Sequence, residues 1–70
     1  MDDILLKFGK QVKSLRQKKK LSQEELARLA GLHRTYVVQI EAGSRNVALK
    51  NINKLAKSLG VSMSELCHGI

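Results

Sequence analysis

Three polar side chains near the middle of the chain, Arg34, Thr35 and Gln39, have the types and spacing that could read the edges of DNA bases. A guanidinium can donate two hydrogen bonds to N7 and O6 of guanine, which makes Arg34 the strongest predicted specificity residue. The competing interpretation is a phosphate contact or a solvated arginine. Thr35 could offer its methyl group to thymine and its hydroxyl to a base or a phosphate. Gln39, one helical turn further along, could read adenine.

A second group of residues has the chemistry of phosphate contacts. Gln23 is predicted to begin a helix, where free main-chain N–H groups and the positive end of the helix dipole attract an anion. Tyr36 could pack its ring on the DNA backbone and hydrogen-bond a phosphate, or it could be a partly buried core tyrosine. Ser44, Arg45 and Asn46 are predicted to form a second clamp on the backbone, from a loop.

The charge of the chain favours a polyanionic ligand. Its 70 residues include 13 Lys and Arg against 6 Asp and Glu, a net charge of +7, and the isoelectric point is about 10.0. Lys18, Lys19 and Lys20 lie in a stretch without acids and would add long-range attraction. Nucleic acid is the first expectation and an anionic membrane the second. A merely solvated charged face is the competing interpretation.

The composition argues against an enzyme and against a metal site or cofactor. No serine, histidine and aspartate set is apparent. Cys67 and His68 are too few ligands for zinc, and Cys67 is expected to be a small apolar residue or an exposed thiol. His33 is expected to lie at a helix N-cap or on a phosphate.

A cytoplasmic location is expected. No apolar run approaches the roughly 18–20 residues that cross a bilayer. The start of the chain, Met1-Asp2-Asp3, lacks the cationic segment of a signal peptide.

The elements that must position these residues are helices. Apolar residues recur at three- and four-residue steps, which predicts an all-α bundle of five short helices forming a single domain over residues 1–70. In order, the helices are one ending near Lys19, one from a capping box at Ser22 and Glu25 to Gly31, one from His33 to Gly43, one from Leu49 to Leu59, and one from a capping box at Ser62 and Glu65. The apolar faces hold Leu5, Phe8, Val12, Leu15, Leu26, Ala27, Leu29, Ala30, Val37, Ile40, Leu49, Ile52, Leu55, Ala56, Leu59, Met63 and Leu66.

The second and third helices fit a helix-turn-helix over about residues 22–42. This motif needs a small residue where the helices touch, a glycine in the turn and apolar residues that anchor the second helix. Counted from Gln23, these positions hold Ala27, Gly31, Leu32, Val37 and Ile40. The third helix would lie in the major groove with its N-terminal residues toward the base edges.

These residues carry a family resemblance. Gln23-Glu24-Glu25-Leu26-Ala27 through Ile40-Glu41-Ala42-Gly43 resembles the helix-turn-helix of the phage repressor and Cro superfamily. Arg34-Thr35-Tyr36-Val37, with Ile40-Glu41 and Arg45-Asn46, looks like the controller proteins of restriction–modification systems. That resemblance implies a homodimeric transcription regulator of its own gene and of the endonuclease gene, which activates at low occupancy and represses at high occupancy.

The superfamily resemblance also implies a structural salt bridge. Arg16 projects close to the apolar stripe of the first helix, where a cation needs a partner. In the superfamily the matching partner is Glu41, and the pair is partly buried. Ala42 and Ala48 depart from the family pattern, because polar residues that contact phosphate or cap the fourth helix are common there. Asn46 could supply the missing cap, which would leave it less free to touch DNA.

A palindromic binding site favours a dimer. One recognition helix reads only a few base pairs, whereas two-fold pairing doubles the contacts, with half-sites roughly 34 Å apart. The predicted interface residues are Val47, Leu49, Val61 and Met63. Activation would need a surface that touches RNA polymerase, and Glu24 or Glu25 is the predicted contact.

Other functions remain as alternatives. Within the same fold, a phage-type repressor or the DNA-binding subunit of an antitoxin is the nearest, and an antitoxin would also bind a protein partner. A cationic membrane-active helical peptide has a suitable charge, but the apolar residues after Gly43 fit a folded core better than lipid. An RNA-binding module would lack a stacking platform, because the chain has only one Tyr and one Phe and no Trp.

Overall fold

A computed structural model describes residues 3–70; Met1 and Asp2, which entered the argument about a signal peptide, lie outside this range. Over these residues the chain forms five helices: α1 (Asp3–Lys18), α2 (Gln23–Ala30), α3 (Arg34–Glu41), α4 (Leu49–Leu59) and α5 (Met63–Leu66). The same range contains no strand, so the predicted all-α class is confirmed. None of these helices combines the length and apolar character that crossing a membrane requires.

The core lies where the five helices meet. Its largest fully buried side chains are Val12, Leu26, Val37, Ile40, Leu55, Leu59 and Leu66. Burying an aliphatic side chain of this size contributes about 1.5–3 kcal/mol relative to leaving it in water. Because α3 packs on α1 and α2, and α2 packs on α4, the α2–α3 pair is held by both long helices.

Two leucines that were predicted on the apolar faces are exposed instead. Leu29 is 57% exposed and Leu49 is 71% exposed. Each residue turns a helix by about 100°, so Leu26, Ala27 and Ala30 share the core side of α2 while Leu29 falls on its flank. Leu49 is the first residue of α4 and lies beyond the part of that helix that packs on the core.

Local capping signals set most helix boundaries as predicted. The Ser22 hydroxyl accepts a hydrogen bond from the N–H of Glu25 at 3.0 Å, and the Ser22 N–H donates to the Glu25 carboxylate at 2.8 Å. Ser62 and Glu65 form the same box at the start of α5. After α2, Gly31 adopts a left-handed conformation with φ of 68°, and the next N–H bonds back to the carbonyl of Ala27 at 2.8 Å. This exit is the tight turn that a helix-turn-helix requires.

The prediction that Asn46 caps α4 is wrong. The N-cap residue is Ala48, and no side chain of the described residues caps the helix. Asn46 lies two residues before that position, and a side-chain cap normally comes from the N-cap residue itself. The third helix also differs slightly from its prediction, because it ends at Glu41 and is followed by Ala42 and then Gly43 with φ of 74°.

α1 and α3 approach each other closely at Gly9, to which sequence reasoning gave no role. A Cβ atom added there would lie 2.4 Å from the carbonyl oxygen of Ile40 and 2.8 Å from that of Glu41. Glycine therefore lets the C-terminal end of α3 lie directly on α1.

Candidate nucleic-acid interface

Burial of Val37 and Ile40, at 0% and 1% exposure, determines which side of α3 faces outward. Arg34 and Thr35 are exposed on the side away from this core contact. Within residues 3–70 the Arg34 guanidinium makes no hydrogen bond or ion pair, so its five N–H donors are available to a ligand. The first two turns of α3 thus present polar groups that the fold itself does not use.

Sequence reasoning missed Val38, which is 38% exposed. It lies one turn after Arg34 and therefore on the same side of α3. A β-branched apolar side chain on such a face can contact the methyl group of thymine. Helical periodicity counted from Arg34, rather than from the core residues, was the signal that could have found it.

The loop that follows α3 folds back onto the helix. The Ser44 hydroxyl donates to the main-chain carbonyl of Gln39 at 3.2 Å. Arg45 Nη1 donates to Gln39 Oε1 at 3.1 Å, and the same guanidinium lies over the Tyr36 ring, 5.1 Å from its centroid. A residue predicted to read bases and a residue predicted to hold the DNA backbone are thus in direct contact.

Tyr36 combines features of both of its predicted interpretations. Its ring is half-buried and packs against the core. Its hydroxyl accepts a hydrogen bond from Nδ2 of Asn51, on α4, at 3.1 Å, and keeps its own hydrogen for a further acceptor. Asn51 was not singled out from the sequence, since no local pattern links it to Tyr36. Asn46 is exposed and its side chain makes no hydrogen bond within the described residues.

Glu41, the last residue of α3, brings together side chains from α1 and α2. Arg16 Nε donates to Oε2 at 2.7 Å and Nη2 donates to Oε1 at 3.0 Å. Gln23 Nε2 also donates to Oε1, at 3.1 Å. The Arg16 and Glu41 side chains are only 11% and 4% exposed, and the hydrogen bond to Glu41 raises the pKa of the Arg16 guanidinium. A third nitrogen, Arg16 Nη1, donates to the carbonyl of Leu21 at 2.8 Å.

Gln23, predicted to contact phosphate, therefore has its side chain engaged inside the protein. What this end of α2 offers to an anion is its main-chain N–H groups in the first turn, those of Gln23 and Glu24. Glu24 and Glu25 are both exposed. Hydrogen bonds from Ser22 lower the pKa of Glu25.

The predicted interface residues lie in different surroundings. Val47, Val61 and Met63 are half-buried against the core, whereas Leu49 is exposed. Val47 lines an open apolar groove whose other walls are Ile4, Leu5, Phe8, Asn46, Ile52, Cys67 and Ile70. Val61 and Met63 lie at the junction of α4 and α5, outside this groove.

The two histidines and the cysteine form no cluster. His33 occupies the N-cap of α3, as predicted, although its side chain makes no capping hydrogen bond. Cys67 is a half-buried free thiol and His68 is exposed. Among residues 3–70 no group of three or more potential metal ligands comes together.

Known proteins are similar to this chain both in sequence and in the arrangement of helices. The family described as Helix-turn-helix matches residues 12–66. Control protein C.BamHI of Bacillus amyloliquefaciens is 48% identical over 93% of this chain and 82% of its own length. The crystal structure of the restriction-modification controller protein C.AhdI from Aeromonas hydrophila is similar with a TM-score of 0.87 and 53% identity, over 89% of this chain and 94% of that one. The controller protein C.Esp1396I, solved as a tetramer with its natural 35 base-pair operator, matches with a TM-score of 0.83 and 37% identity, over 89% and 82%.

Proposed function

Because the chain belongs to the helix-turn-helix family, within its group of restriction–modification controller proteins, we propose that it binds a double-stranded DNA operator in a sequence-specific manner and regulates transcription. The observation that carries the proposal is the outward face of α3. Arg34, Thr35 and Val38 are exposed there, while Val37 and Ile40 anchor the opposite face in the core. A helix held in this way can enter the major groove with its N-terminal residues leading.

In this proposal the residues of α3 read the bases. Arg34 donates to N7 and O6 of guanine, since its guanidinium has no partner among residues 3–70. Thr35 contacts a base or a phosphate beside it, and Val38 packs on a thymine methyl. Gln39, one turn after Thr35, faces a base at the next position of the half-site.

The groups around α3 hold the DNA backbone. The first-turn N–H groups of Gln23 and Glu24 donate to one phosphate. Tyr36, Ser44, Arg45 and Asn46 hold another, from the far side of the recognition helix. The Tyr36 hydroxyl keeps a free hydrogen, and Asn46 is exposed, which supports these roles. Arg16 and Glu41 act structurally, by fixing the end of α3 against α1.

We further propose that two copies pair on a palindromic operator. The proposed interface comprises Val47, Leu49, Val61 and Met63, and the 71% exposure of Leu49 supports a partner surface there. The operator-bound tetramer of C.Esp1396I supports assembly of several copies on one DNA.

The proposed regulation follows from family membership. The 70 residues act as one domain without enzymatic activity, in the cytoplasm and on the DNA of the nucleoid. The protein activates its own gene and an endonuclease gene at low occupancy and represses at high occupancy. Activation uses RNA polymerase contact through the exposed Glu24 or Glu25.

Selection from a random-sequence duplex library tests the proposal. We expect enrichment of one symmetric site with half-sites about 34 Å apart, and two-fold stoichiometry per site in sedimentation with that DNA. Circular dichroism in plain buffer should show cooperative melting without lipid. A library that yields no symmetric site, or sedimentation that shows only monomer with and without the DNA, would overturn it. Genes for an endonuclease and a methyltransferase beside this gene are the expected setting; phage genes would favour a phage-type repressor.

A further inference from the structure

We propose that Arg45 makes Gln39 a hydrogen-bond donor toward DNA, so that the base opposite Gln39 is selected for a keto oxygen, O6 of guanine or O4 of thymine. This differs from the adenine contact that the sequence suggested for Gln39. The inference rests on the proposed binding of α3 in the major groove. It adds that a residue in the loop after α3 decides which base α3 accepts.

The orientation of the Gln39 amide follows from the chemistry of its neighbour. A guanidinium has five N–H donors and no acceptor. The atom that faces Arg45 Nη1 at 3.1 Å must therefore be the oxygen of the amide, Oε1. The amide nitrogen, Nε2, is then on the other branch of the group.

That nitrogen is open to solvent. Gln39 Nε2 has no hydrogen-bond partner within residues 3–70. In the same range every buried side-chain nitrogen or oxygen of a residue that is not exposed has a partner. Gln39 is such a residue, so an unpartnered Nε2 cannot be buried. Both of its N–H groups are available to an external acceptor.

Arg45 is itself held in place, which makes the orientation a property of the free protein. Its guanidinium lies over the half-buried ring of Tyr36, and the hydroxyl of that ring is tied to Asn51 on α4. Ser44 adds two hydrogen bonds to the main-chain carbonyl of Gln39, from its N–H at 3.0 Å and from its hydroxyl at 3.2 Å. Because the amide is oriented before DNA binds, less side-chain entropy is lost on binding.

The major-groove edges of the four bases respond differently to such a donor. Guanine O6 and thymine O4 are acceptors, whereas adenine N6 and cytosine N4 are donors. Glutamine reads adenine by accepting from N6 with its oxygen while donating to N7. With Oε1 directed to Arg45, the amide can no longer accept from adenine N6 and keeps only its donor. N7 would accept from this donor in either purine, but guanine also places the acceptor O6 beside N7 where adenine has the N6 donor, and thymine offers O4, so the amide favours the keto bases. Arg45 is a positioning residue in this scheme, since it acts on the base through Gln39.

Library selection and affinity measurements with three variants test the inference. Gln39→Ala should remove the preference at one position in each half-site and weaken binding there about 5- to 10-fold. Arg45→Ala should weaken binding generally and, at that same position, admit adenine, because Oε1 is released. Lys50→Ala removes an equal charge from an exposed site near the loop and should leave the base pattern at that position unchanged.

The outcomes separate this inference from the proposed function. A wild-type site with guanine or thymine at the Gln39-dependent position, which Arg45→Ala broadens to adenine, supports it. A wild-type preference for adenine there, an unchanged keto preference in Arg45→Ala, or no position that depends on Gln39 overturns it while leaving DNA binding intact. Failure to enrich any symmetric site with the wild type overturns the proposed function instead. Circular dichroism of each variant confirms that it is folded.

Discussion

Arg16 and Glu41, 25 residues apart in the chain, are joined by two hydrogen bonds, Nε to Oε2 at 2.7 Å and Nη2 to Oε1 at 3.0 Å. Arg16 belongs to α1 and Glu41 ends α3, the helix that carries the proposed base-reading residues. Gln23 of α2 donates to the same carboxylate, at 3.1 Å. One carboxylate therefore fixes the relative positions of the first three helices.

Glu41→Ala should destabilise the fold by about 3–5 kcal/mol, because it leaves the guanidinium of Arg16 in a nearly buried site without its counter-ion. Urea denaturation gives the free energy of unfolding. The matched control is Asp3→Ala, which breaks the exposed 3.8 Å pair between Asp3 and Lys7 and should cost less than about 0.5 kcal/mol. The double change Arg16→Met with Glu41→Leu should recover part of the loss. Equal stability of Glu41→Ala and wild type would contradict the structural role.

Gly9→Ala should destabilise the fold by about 1–3 kcal/mol through overpacking. The added Cβ would lie 2.4 Å from the carbonyl oxygen of Ile40, and main-chain atoms of two packed helices cannot both move away cheaply. In an isolated helix the same change would stabilise by about 0.5–1 kcal/mol, so the sign of the effect is diagnostic. The neighbouring exposed Lys10→Ala is the control, and thermal melts suffice. A stabilised Gly9→Ala would mean that α1 and α3 are further apart.

Features with a local signal were predictable from the residues themselves. Among the distant contacts, the salt bridge between Arg16 and Glu41 was predicted through the superfamily resemblance, whereas the contacts of Gly9 and Gln39 were not predicted. The capping box at Ser22 and the left-handed glycine at Gly31 act within a few residues, so the bounds of α2 could be predicted. Gly9 has no such signal, because its role depends on a helix 31 or 32 residues further along. The contact between Gln39 and Arg45 depends on how the loop folds back, which residue types alone do not specify. For that reason the orientation of the Gln39 amide was not predicted from the sequence, and its role in reading a base stays a prediction.

Lys20→Gly should stabilise the fold by about 0.5–1 kcal/mol. Lys20 has φ of 57°, a left-handed conformation that costs a residue with a Cβ about 1–2 kcal/mol and a glycine almost nothing. Glycine also raises the conformational entropy of the unfolded chain, which offsets part of this stabilisation. Lys20→Ala removes the same charge but keeps the Cβ, so it should not stabilise. Chemical denaturation of both variants compares them. Equal gains from both would attribute the effect to charge repulsion among the neighbouring lysines.

Stability should fall in acid partly through Glu25. Hydrogen bonds from Ser22 lower the pKa of Glu25 in the folded state below its ordinary value of 4.5. Its contribution is therefore complete above the unfolded-state pKa and is lost as the pH falls through the lower folded-state pKa. In thermal melts recorded from neutral pH downward, Glu25→Gln should therefore lose less stability with decreasing pH than the wild type. Glu24→Gln removes a charge from the same turn but not the capping bond, so its stability should fall with decreasing pH as in the wild type. If the stability of Glu25→Gln falls in acid as steeply as that of the wild type, the assignment to Glu25 is wrong.

Arg34→Ala should weaken binding to the selected operator by about 1–3 kcal/mol and relax the base preference at one position in each half-site. The fold should be unaffected, since Arg34 makes no internal polar contact within the described residues, and circular dichroism checks this. Arg34→Lys separates the two interpretations of this residue, because an ammonium keeps the attraction to phosphate but cannot donate in the planar, two-point manner that guanine requires. If Arg34 reads guanine, lysine should fail nearly as badly as alanine; if it only holds a phosphate, lysine should restore most of the affinity and all of the base preference.

Lys57→Ala is the control, because it removes an exposed positive charge at the far end of α4. It should weaken binding to all sequences alike and reduce the salt dependence of binding by at most about one ion. Full binding by Arg34→Lys with an unchanged selected sequence would remove Arg34 from base readout and leave Thr35, Val38 and Gln39 to account for specificity.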